Sequence, residues 1–392
     1  MSKKHAKSFA IFTHLKTDMG EAVHAQKFAA MLPHATLHDI PALLGEDYAT
    51  LAQMNLALAE ADYAPCISYP HRIEHTHDVS MVLSWNAGVA AMLASGVQEN
   101  KFTILKLYAH QPQERIFAQL YSSADLLITE SLLASQRAHA YGLDRVLYLP
   151  HHFTHCEPAS RQYVIELAKR LGKTLPAEAI IVGVPSRFEY WKNCEFAVEA
   201  VRQLQSKYPL VLVLKGRFPQ QSVYPDYEQH FAQMLQAYQH ENWLLWDDSW
   251  TSYPDVLKQY ASFDFCVQPS GAEGGSNVIV ELLAMGKPVI LLDASTHPYL
   301  FKGGALFVPP QPGLRMAQLA YAQPNLDALI QSIEQLCNAR ERAKWSLCAQ
   351  TIAHQRFHPN LAQKKIAYML QALEKDVDFQ KIEEEDKKLY GI

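Results

Sequence analysis

The 392-residue sequence predicts the α/β class, with two blocks of parallel sheet covered by helices. Short apolar segments of strand length alternate along the chain with segments that repeat apolar residues at helical spacing. The apolar run at residues 210–214 contains no polar residue, as expected for a parallel strand covered on both faces. A polar stretch near residues 150–175 separates two blocks of similar length, so we expect two α/β domains.

The order of elements follows from these patterns and from the turn residues between them. In the first block, strands are predicted at residues 9–12, 65–69, 102–107, 125–129 and 146–149, and helices at 21–32, 51–61, 84–93 and 131–140. In the second block, strands are predicted at residues 180–184, 210–214, 243–246, 263–268 and 288–292, and helices at 194–205, 224–237, 252–260 and 278–285. From residue 325 onward the pattern is helical, and the charge-dense run 381–388 is interpreted as a solvated terminal helix.

Composition narrows the function classes. The chain is 49% apolar, which allows a sizeable core, and its 35 Lys and Arg against 40 Asp and Glu give a net charge of −5. That balance does not suggest a dedicated nucleic-acid binder, which usually has a basic surplus. No apolar run approaches the roughly 18 residues of a membrane span, and the N-terminal apolar stretch is too short for a signal peptide. Six scattered cysteines without a CxxC pair indicate a reduced, cytoplasmic location.

A glycine-rich loop carries the strongest chemical signal. Residues 270–277 read Ser-Gly-Ala-Glu-Gly-Gly-Ser-Asn and lie between a predicted strand and a predicted helix. Backbone N–H groups at a helix start attract phosphate, and glycines allow the backbone to approach a ligand closely. Glu273 and Glu281 would repel a bare phosphate but can accept hydrogen bonds from sugar hydroxyls. A glycine-rich turn with Ser276 or Asn277 as an ordinary helix cap remains the alternative.

A second loop, residues 184–193, also follows a predicted strand and precedes a helix. It contains Arg187 and Lys192. An arginine fork together with a lysine point charge can neutralise a diphosphate. The alternative is that both are solvated surface cations.

The two loops together resemble retaining glycosyltransferases of the GT-B type, family 4. The sequence keeps the family's Glu-x7-Glu segment and the residues around it in register: Pro269, Ser270, Glu273, Gly274, Glu281, Gly286, Pro288 and Val289. It also keeps the spacing of the family's Gly-Arg-x4-Lys-Gly segment, with Ser186 and Asn193 in place of the glycines. The resemblance is specific over about residues 180–310 and looser over residues 1–155.

The resemblance implies a role for each matching residue. Arg187 and Lys192 would bind the donor diphosphate, Glu281 would hold the ribose hydroxyls, and Glu273 would contact the transferred sugar. Backbone amides of the following segment would meet sugar and phosphate: Gly274, Gly275, Ser276 and Asn277.

In the first domain, the resemblance points to two further positions. Gly20 is at the position of a glycine-containing segment that follows the first strand in this family. His110, after a central strand, is similar in position to a family histidine that faces the donor sugar, and His71 is its rival. The candidate catalytic set is Glu273, His110, Arg187 and Lys192.

The resemblance also implies the architecture. We expect a GT-B fold, with two Rossmann-like α/β domains facing across a cleft and C-terminal helices. Residues 1–155 would form the acceptor domain, 156–175 a linker, and 176–355 the nucleotide-sugar domain. Residues 356–392 would form a helical segment packing back on the N-terminal domain.

The implied activity is transfer of a sugar from a UDP-, GDP- or ADP-sugar to a carbohydrate, lipid-linked or protein acceptor, with retention and in glycan or glycoconjugate biosynthesis. The resemblance implies no required cofactor. No metal is expected either, because the histidine clusters lack zinc spacing. The Asp247-Asp248 pair is interpreted as a loop or cap. Peripheral membrane contact is compatible with such enzymes, although no strongly basic amphipathic helix is evident. The alternatives are a catalytically degenerate sugar-nucleotide-binding protein or a related epimerase or phosphorylase.

Overall fold

The computed structural model describes most of the chain. The described residues are 7–13, 20–32, 34–44, 77–83, 102–107, 124–154, 157–219, 224–311, 315–316, 319–374 and 377–390. The chain divides into two compact units. One contains Met1–His151 and Pro359–Ile392, and the other contains His152–His358.

The first unit is built on a six-stranded sheet. Its strands are β1 (Phe9–Thr13), β2 (Ala35–Asp39), β3 (Val79–Val82), β4 (Phe102–Leu107), β5 (Leu126–Thr129) and β6 (Val146–Tyr148). Among its described residues before residue 152, the helices are α1 (Gly20–Met31), α2 (Ile40–Leu44) and α3 (Leu132–Ala140). The strand order is β2-β1-β3-β4-β5-β6, and every neighbouring pair is parallel.

The second unit contains a second six-stranded sheet. Its strands are β7 (Ile180–Pro185), β8 (Leu210–Lys215), β9 (Leu244–Asp247), β10 (Phe265–Gln268), β11 (Val289–Leu292) and β12 (Leu306–Val308). The helices are α4 (Gln162–Arg170), α5 (Cys194–Leu204), α6 (Pro225–Ala237), α7 (Tyr253–Ala261), α8 (Asn277–Ala284), α9 (His297–Leu300), α10 (Leu326–Cys337) and α11 (Ala339–Arg356). A short 3₁₀ helix spans Tyr190–Lys192.

Two short antiparallel ladders follow β12 along the chain. They pair β13 (Pro310–Gln311) with β16 (Gln323–Pro324), and β14 (Arg315–Met316) with β15 (Leu319–Ala320).

The second sheet has a topological switch point between β7 and β10. Its order is β12-β11-β10-β7-β8-β9, with all neighbouring pairs parallel. The chain adds β8 and β9 on one side of β7, and then β10, β11 and β12 on the other. In sheets of this kind ligands bind at the carboxyl ends of the strands beside the switch point. The predicted α/β class with two Rossmann-like sheets is confirmed.

Apolar strands covered on both faces form the core of the second unit. Residues Leu210–Leu214 of β8 are all buried, as the unbroken apolar run predicts. Helices α5 and α10 pack against the same core. Burying one leucine or valine side chain contributes about 1.5–3 kcal/mol, so these strands stabilise the sheet.

The last two helices, α12 (Pro359–Ala372) and α13 (Phe379–Tyr390), belong to the first unit. Their side chains Ile366, Met369 and Ile382 join the core cluster of the first sheet. The Tyr148 and Tyr390 hydroxyls are hydrogen bonded at 2.8 Å.

The interpretation of residues 381–388 as a solvated terminal helix is confirmed for the helix and wrong for one of its faces, which is buried in α13. Glu383 lies 2.7 Å from His139, and Asp386 is paired with Lys365. The charge-dense sequence therefore also contains the buried partners of an ion-pair network.

Asp247 corrects a second expectation. It is not a loop residue but the last residue of β9, and it is buried. Its carboxylate lies 2.9 Å from Arg170 and 3.2 Å from Lys215. Burial opposes ionisation, yet hydrogen bonds from Ser249 and Tyr163 and the Lys215 charge lower the pKa of Asp247 to about 2. This network fixes the end of an edge strand.

Glu195, in the first turn of α5, makes stability depend on pH. Burial raises the pKa of Glu195 to about 7, although the Tyr227 hydroxyl donates to its carboxylate at 2.7 Å. Because the carboxyl pKa is raised by folding, its contribution to stability is full below about pH 4.5 and is lost as pH rises through 7. We expect the free energy of unfolding to fall over that range by up to about 3 kcal/mol.

Urea unfolding at pH 5 and pH 8 checks this prediction. Glu195→Gln should lose most of the difference between the two pH values. Glu199→Gln, one turn along the same helix, is the matched control, because the Arg202 hydrogen bond lowers the pKa of Glu199 and keeps it ionised throughout. An unchanged pH dependence in Glu195→Gln would contradict the assignment.

Candidate functional site

The fold brings the two loops singled out in the sequence to one edge of the second sheet. The cation loop, residues 186–193, follows β7, and the glycine loop, residues 269–276, follows β10. β7 and β10 are neighbours, with Phe265 opposite Val182 and Cys266 opposite Gly183. Both loops therefore leave the carboxyl edge of the sheet at its switch point.

The two loops are joined by hydrogen bonds. Gly271 N–H donates to the Trp191 carbonyl at 2.7 Å, and the Ser270 hydroxyl donates to the same oxygen at 3.3 Å. A Cβ atom on Gly271 would lie 2.2 Å from the Ala322 carbonyl oxygen, so this position requires glycine. The Gln268 amide also donates to the Pro185 carbonyl at 2.7 Å.

Asn193 occupies a position in the cation loop where the Gly-Arg-x4-Lys-Gly segment has glycine. Its backbone is left-handed, with φ 52° and ψ 34°, a conformation that glycine adopts freely and asparagine tolerates best among other residues. Its side-chain amide donates to the carbonyls of Pro269 and Ala322, each at 2.9 Å. Replacing glycine here thus keeps the turn and adds two hydrogen bonds between loops.

Each predicted phosphate-binding cation is paired with a carboxylate. Lys192 Nζ contacts Glu273 Oε1, and the two side chains are 16% and 13% exposed. Arg187 Nη2 lies 3.1 Å from Glu189 Oε2, with Arg187 40% exposed and Glu189 10%. The site therefore combines two cations with two carboxylates.

Glu189 was not singled out from the sequence. Burial raises the pKa of its carboxyl above the usual range, although Arg187 and Lys192 oppose that shift. Its position between the two motif cations, two residues after Arg187, is the signal that could have drawn attention to it.

A third loop holds the backbone of Glu273. The Ser295 hydroxyl donates to the Glu273 carbonyl at 2.8 Å and accepts from its N–H at 3.1 Å, and Thr296 Oγ1 donates to the same carbonyl at 2.9 Å. Next to them, His297 is fully buried with Nδ1 3.1 Å from the Leu292 carbonyl, and burial lowers its pKa. This loop follows β11, and the sequence did not point to it.

Glu281 lies inside α8, close to its start. Ser276 caps the helix by accepting from Ile279 N–H at 3.3 Å, which is the capping role considered as the alternative for that residue. Glu281 is 1% exposed, and the Tyr253 hydroxyl donates to its Oε1. Burial and the neighbouring carboxylate raise the pKa of Tyr253, so it stays a hydrogen-bond donor.

The structure places the remaining predicted residues as follows. Gly274 and Gly275 lie between Glu273 and the cap, and α8 begins at Asn277, so the amides of its first turn are next to the glycine loop. Gly20 is the first residue of α1, in the first unit. His110 and its rival His71 lie outside the described residues. The structure thus brings together Arg187, Lys192, Glu273 and the start of α8.

A comparison with known protein families matches a segment of the chain that contains both loops. Residues 168–350 match the family model of the glycosyl transferases group 1. The matched segment covers the cation loop, the glycine loop and Glu281. No curated protein matches the chain in sequence.

Solved structures similar to the chain show the same fold. HepE of Anabaena, in complex with UDP and glucose, has a TM-score of 0.68 at 17% identity, covering 93% of this chain and 99% of that one. Sucrose-phosphate synthase from Thermosynechococcus elongatus has a TM-score of 0.69 at 16% identity, covering 94% and 99%. A glycosyltransferase from Rickettsia africae ESF-5 has a TM-score of 0.65 at 14% identity, covering 95% and 100%.

The fold of the chain is GT-B, with two Rossmann-like domains. Among the described residues, no helix combines the length and the apolarity that crossing a membrane requires.

Proposed function

We propose that the protein is a retaining glycosyltransferase of the family 4 type, which moves a sugar from a nucleotide sugar to an acceptor hydroxyl. One observation carries the proposal. The motif cations Arg187 and Lys192 and the motif carboxylate Glu273 meet at the switch point of the second sheet, where such sheets bind ligands.

The donor diphosphate would replace the carboxylate partners of the two cations. Arg187 offers a planar fork and Lys192 a point charge, and the first turn of α8 adds amide dipoles. Negative charge grows on the diphosphate as the sugar leaves. Fixed positive groups that meet this growing charge lower the barrier to transfer.

The two glutamates of the motif would recognise hydroxyl groups. Glu281 is held by Tyr253 and would accept hydrogen bonds from the ribose. Glu273 would exchange its contact with Lys192 for hydroxyls of the transferred sugar. Its backbone is fixed by Ser295 and Thr296, so only the side chain has to move.

Retention would proceed without a carboxylate nucleophile. The bond between the anomeric carbon and the diphosphate oxygen breaks, and the acceptor oxygen bonds to the same face of that carbon. The acceptor proton passes to an oxygen of the leaving diphosphate. We place Glu273 among the catalytic residues for sugar positioning, together with Arg187 and Lys192, and we keep His110 as a candidate.

UDP-glucose is the first donor to test, because the similar Anabaena structure has been solved with that ligand. The acceptor is proposed to be a carbohydrate, lipid-linked or protein hydroxyl in glycan or glycoconjugate biosynthesis. Four cysteines in the described part of the chain are free thiols: Cys194, Cys266, Cys337 and Cys348. Free thiols support the expected cytoplasmic location.

Thermal unfolding with UDP, GDP, ADP and their sugars tests the donor class. We expect one nucleotide to raise the melting temperature by about 5–10 °C at roughly a hundred times its Kd, because a ligand of the native state stabilises it. The shift should shrink in Arg187→Ala. Products are then analysed with the donor that binds.

A new glycosidic bond with retained configuration supports the proposal. An epimerised nucleotide sugar or a sugar 1-phosphate as the product would contradict sugar transfer and would instead indicate a related GT-B activity. Nucleotide binding without turnover over a panel of acceptors would indicate a binding protein, and no shift with any nucleotide would contradict donor binding.

A further inference from the structure

Glu189 is a buried carboxylate within the region proposed to bind the diphosphate. Its Oε2 lies 3.1 Å from Arg187 Nη2, and its side chain is 10% exposed. Nothing in the motif of the cation loop assigns it a role. A carboxylate in this place opposes an incoming diphosphate, so its presence needs a physical explanation.

Charged groups of three elements act on the carboxyl group of Glu189. Arg187 and Lys192 of the cation loop stabilise its charge, whereas Glu273 of the glycine loop and Glu228 of α6 repel it. Burial raises the pKa values of the nearby Tyr224 and Tyr321 hydroxyls, and the charge of Glu189 adds to both shifts. The two cations therefore favour the ionised form of this carboxyl group, against the effect of burial, in the absence of ligand.

The backbone of Glu189 is held on both sides. Phe188 is fully buried against Phe218 and Phe231, and its N–H donates to the Arg217 carbonyl at 2.9 Å. The Glu189 carbonyl accepts from Lys192 N–H at 2.8 Å. The backbone that carries the carboxyl group is thereby fixed within the cation loop.

We propose that Glu189 takes up one proton when a nucleoside diphosphate binds at Arg187 and Lys192, and that the resulting carboxyl group donates a hydrogen bond to the diphosphate. The proposal rests on the proposed function. The proton comes from solvent, the carboxylate becomes a neutral acid, and no other bond changes.

Charge balance supports this step. When the diphosphate engages both cations, Glu189 loses the groups that favour its ionised form and gains a multiply charged anion as its neighbour. Like charge and burial both favour the protonated form of a carboxyl group. A protonated carboxyl turns a repulsive contact into a donated hydrogen bond, which is stronger when the acceptor is charged.

Calorimetric titration with UDP measures the proton directly. Titrations between pH 6 and 8, each in two buffers of different ionisation enthalpy, give the number of protons taken up per UDP bound. We expect wild type to take up more protons than Glu189→Gln, by up to about one, and its affinity relative to that variant to fall by up to about tenfold per pH unit. Because UDP has its own phosphate titration near pH 6, the comparison between proteins isolates Glu189.

Glu178→Gln is the matched control. Glu178 is an exposed glutamate just before β7, at the opposite end of the strand from Glu189. It should match wild type in affinity and in proton uptake. Melting temperatures of the variants establish that they fold. If Glu189→Gln does not fold, wild type at pH 8, where free UDP is fully ionised, still decides the question through the presence or absence of proton uptake.

The outcomes separate the two proposals. Equal proton uptake in wild type and Glu189→Gln, or no uptake by wild type at any pH, overturns the role of Glu189 while leaving nucleotide binding intact. If UDP, GDP and ADP all fail to bind, the proposed function is wrong and this inference is wrong with it.

Discussion

Lys192→Ala is expected to lower kcat for sugar transfer by about 10²–10³-fold, the typical loss when one group that stabilises transition-state charge is removed. Lys192 is the less exposed of the two motif cations and is the last residue of the 3₁₀ helix before α5, in contact with Glu273 of the glycine loop. The attraction between its ammonium group and the diphosphate would be strongest as the bond to the sugar breaks, because negative charge then grows on the diphosphate. Steady-state rates with saturating donor measure the effect.

Removing Lys192 also takes away the ion pair with Glu273, which lowers stability by itself. The double variant Lys192→Ala with Glu273→Gln removes both charges and should regain the melting temperature but not the rate. Lys207→Ala, which removes an exposed lysine paired with Glu334 in the same unit, is the control for a general loss of charge. Recovery of the rate in the double variant would show that Lys192 acts only as a structural partner of Glu273.

Glu281→Gln is expected to raise the donor KM by about 10–100-fold with a smaller change in kcat. Hydrogen bonds to a charged group contribute about 1.5–3 kcal/mol, and the ribose is remote from the bond that breaks. Glutamine keeps the size of this buried residue and can still accept from Tyr253. Kinetics with varied donor concentration separate KM from kcat.

A nucleotide lacking ribose hydroxyls provides the control for Glu281. Wild type should bind UDP more tightly than 2′-deoxy- or 3′-deoxy-UDP, and Glu281→Gln should lose much of that preference. Tyr253→Phe removes the donor to Glu281 and leaves the carboxylate in place, so its effect on KM should be smaller. An unchanged preference for ribose in Glu281→Gln would show that the hydroxyls are recognised elsewhere.

The fold could be predicted where burial makes a strand uniformly apolar. β8 and β10 are buried along nearly their whole length, and their sequences have few polar residues. β2 and β3 were missed: β2 is an edge strand with partly exposed residues, and Ser80 interrupts the apolar run of β3. A strand that is short, polar or at an edge does not show the pattern on which the prediction depends.

The site could be predicted in outline, because loops after neighbouring parallel strands meet at one edge of a sheet. The contacts within the site could not be. Lys192 and Glu273 are 81 residues apart in sequence, Tyr253 and Glu281 are 28 apart, and Ser295 and Glu273 are 22 apart. Such pairs depend on the three-dimensional fold and leave no spacing signal. Glu189, by contrast, carries a partly local signal, since it lies between the two motif cations.

The return of α12 and α13 to the first unit has a consequence for the order in which the protein assembles. During synthesis, residues 152–358 are made before Ile366, Met369 and Ile382, yet these three complete the hydrophobic core around the first sheet. The second unit is continuous in sequence and has all its own residues by then. The first unit can therefore complete its hydrophobic core only after the final helices have been made. The second unit, although most of it is made later, can complete its own core sooner.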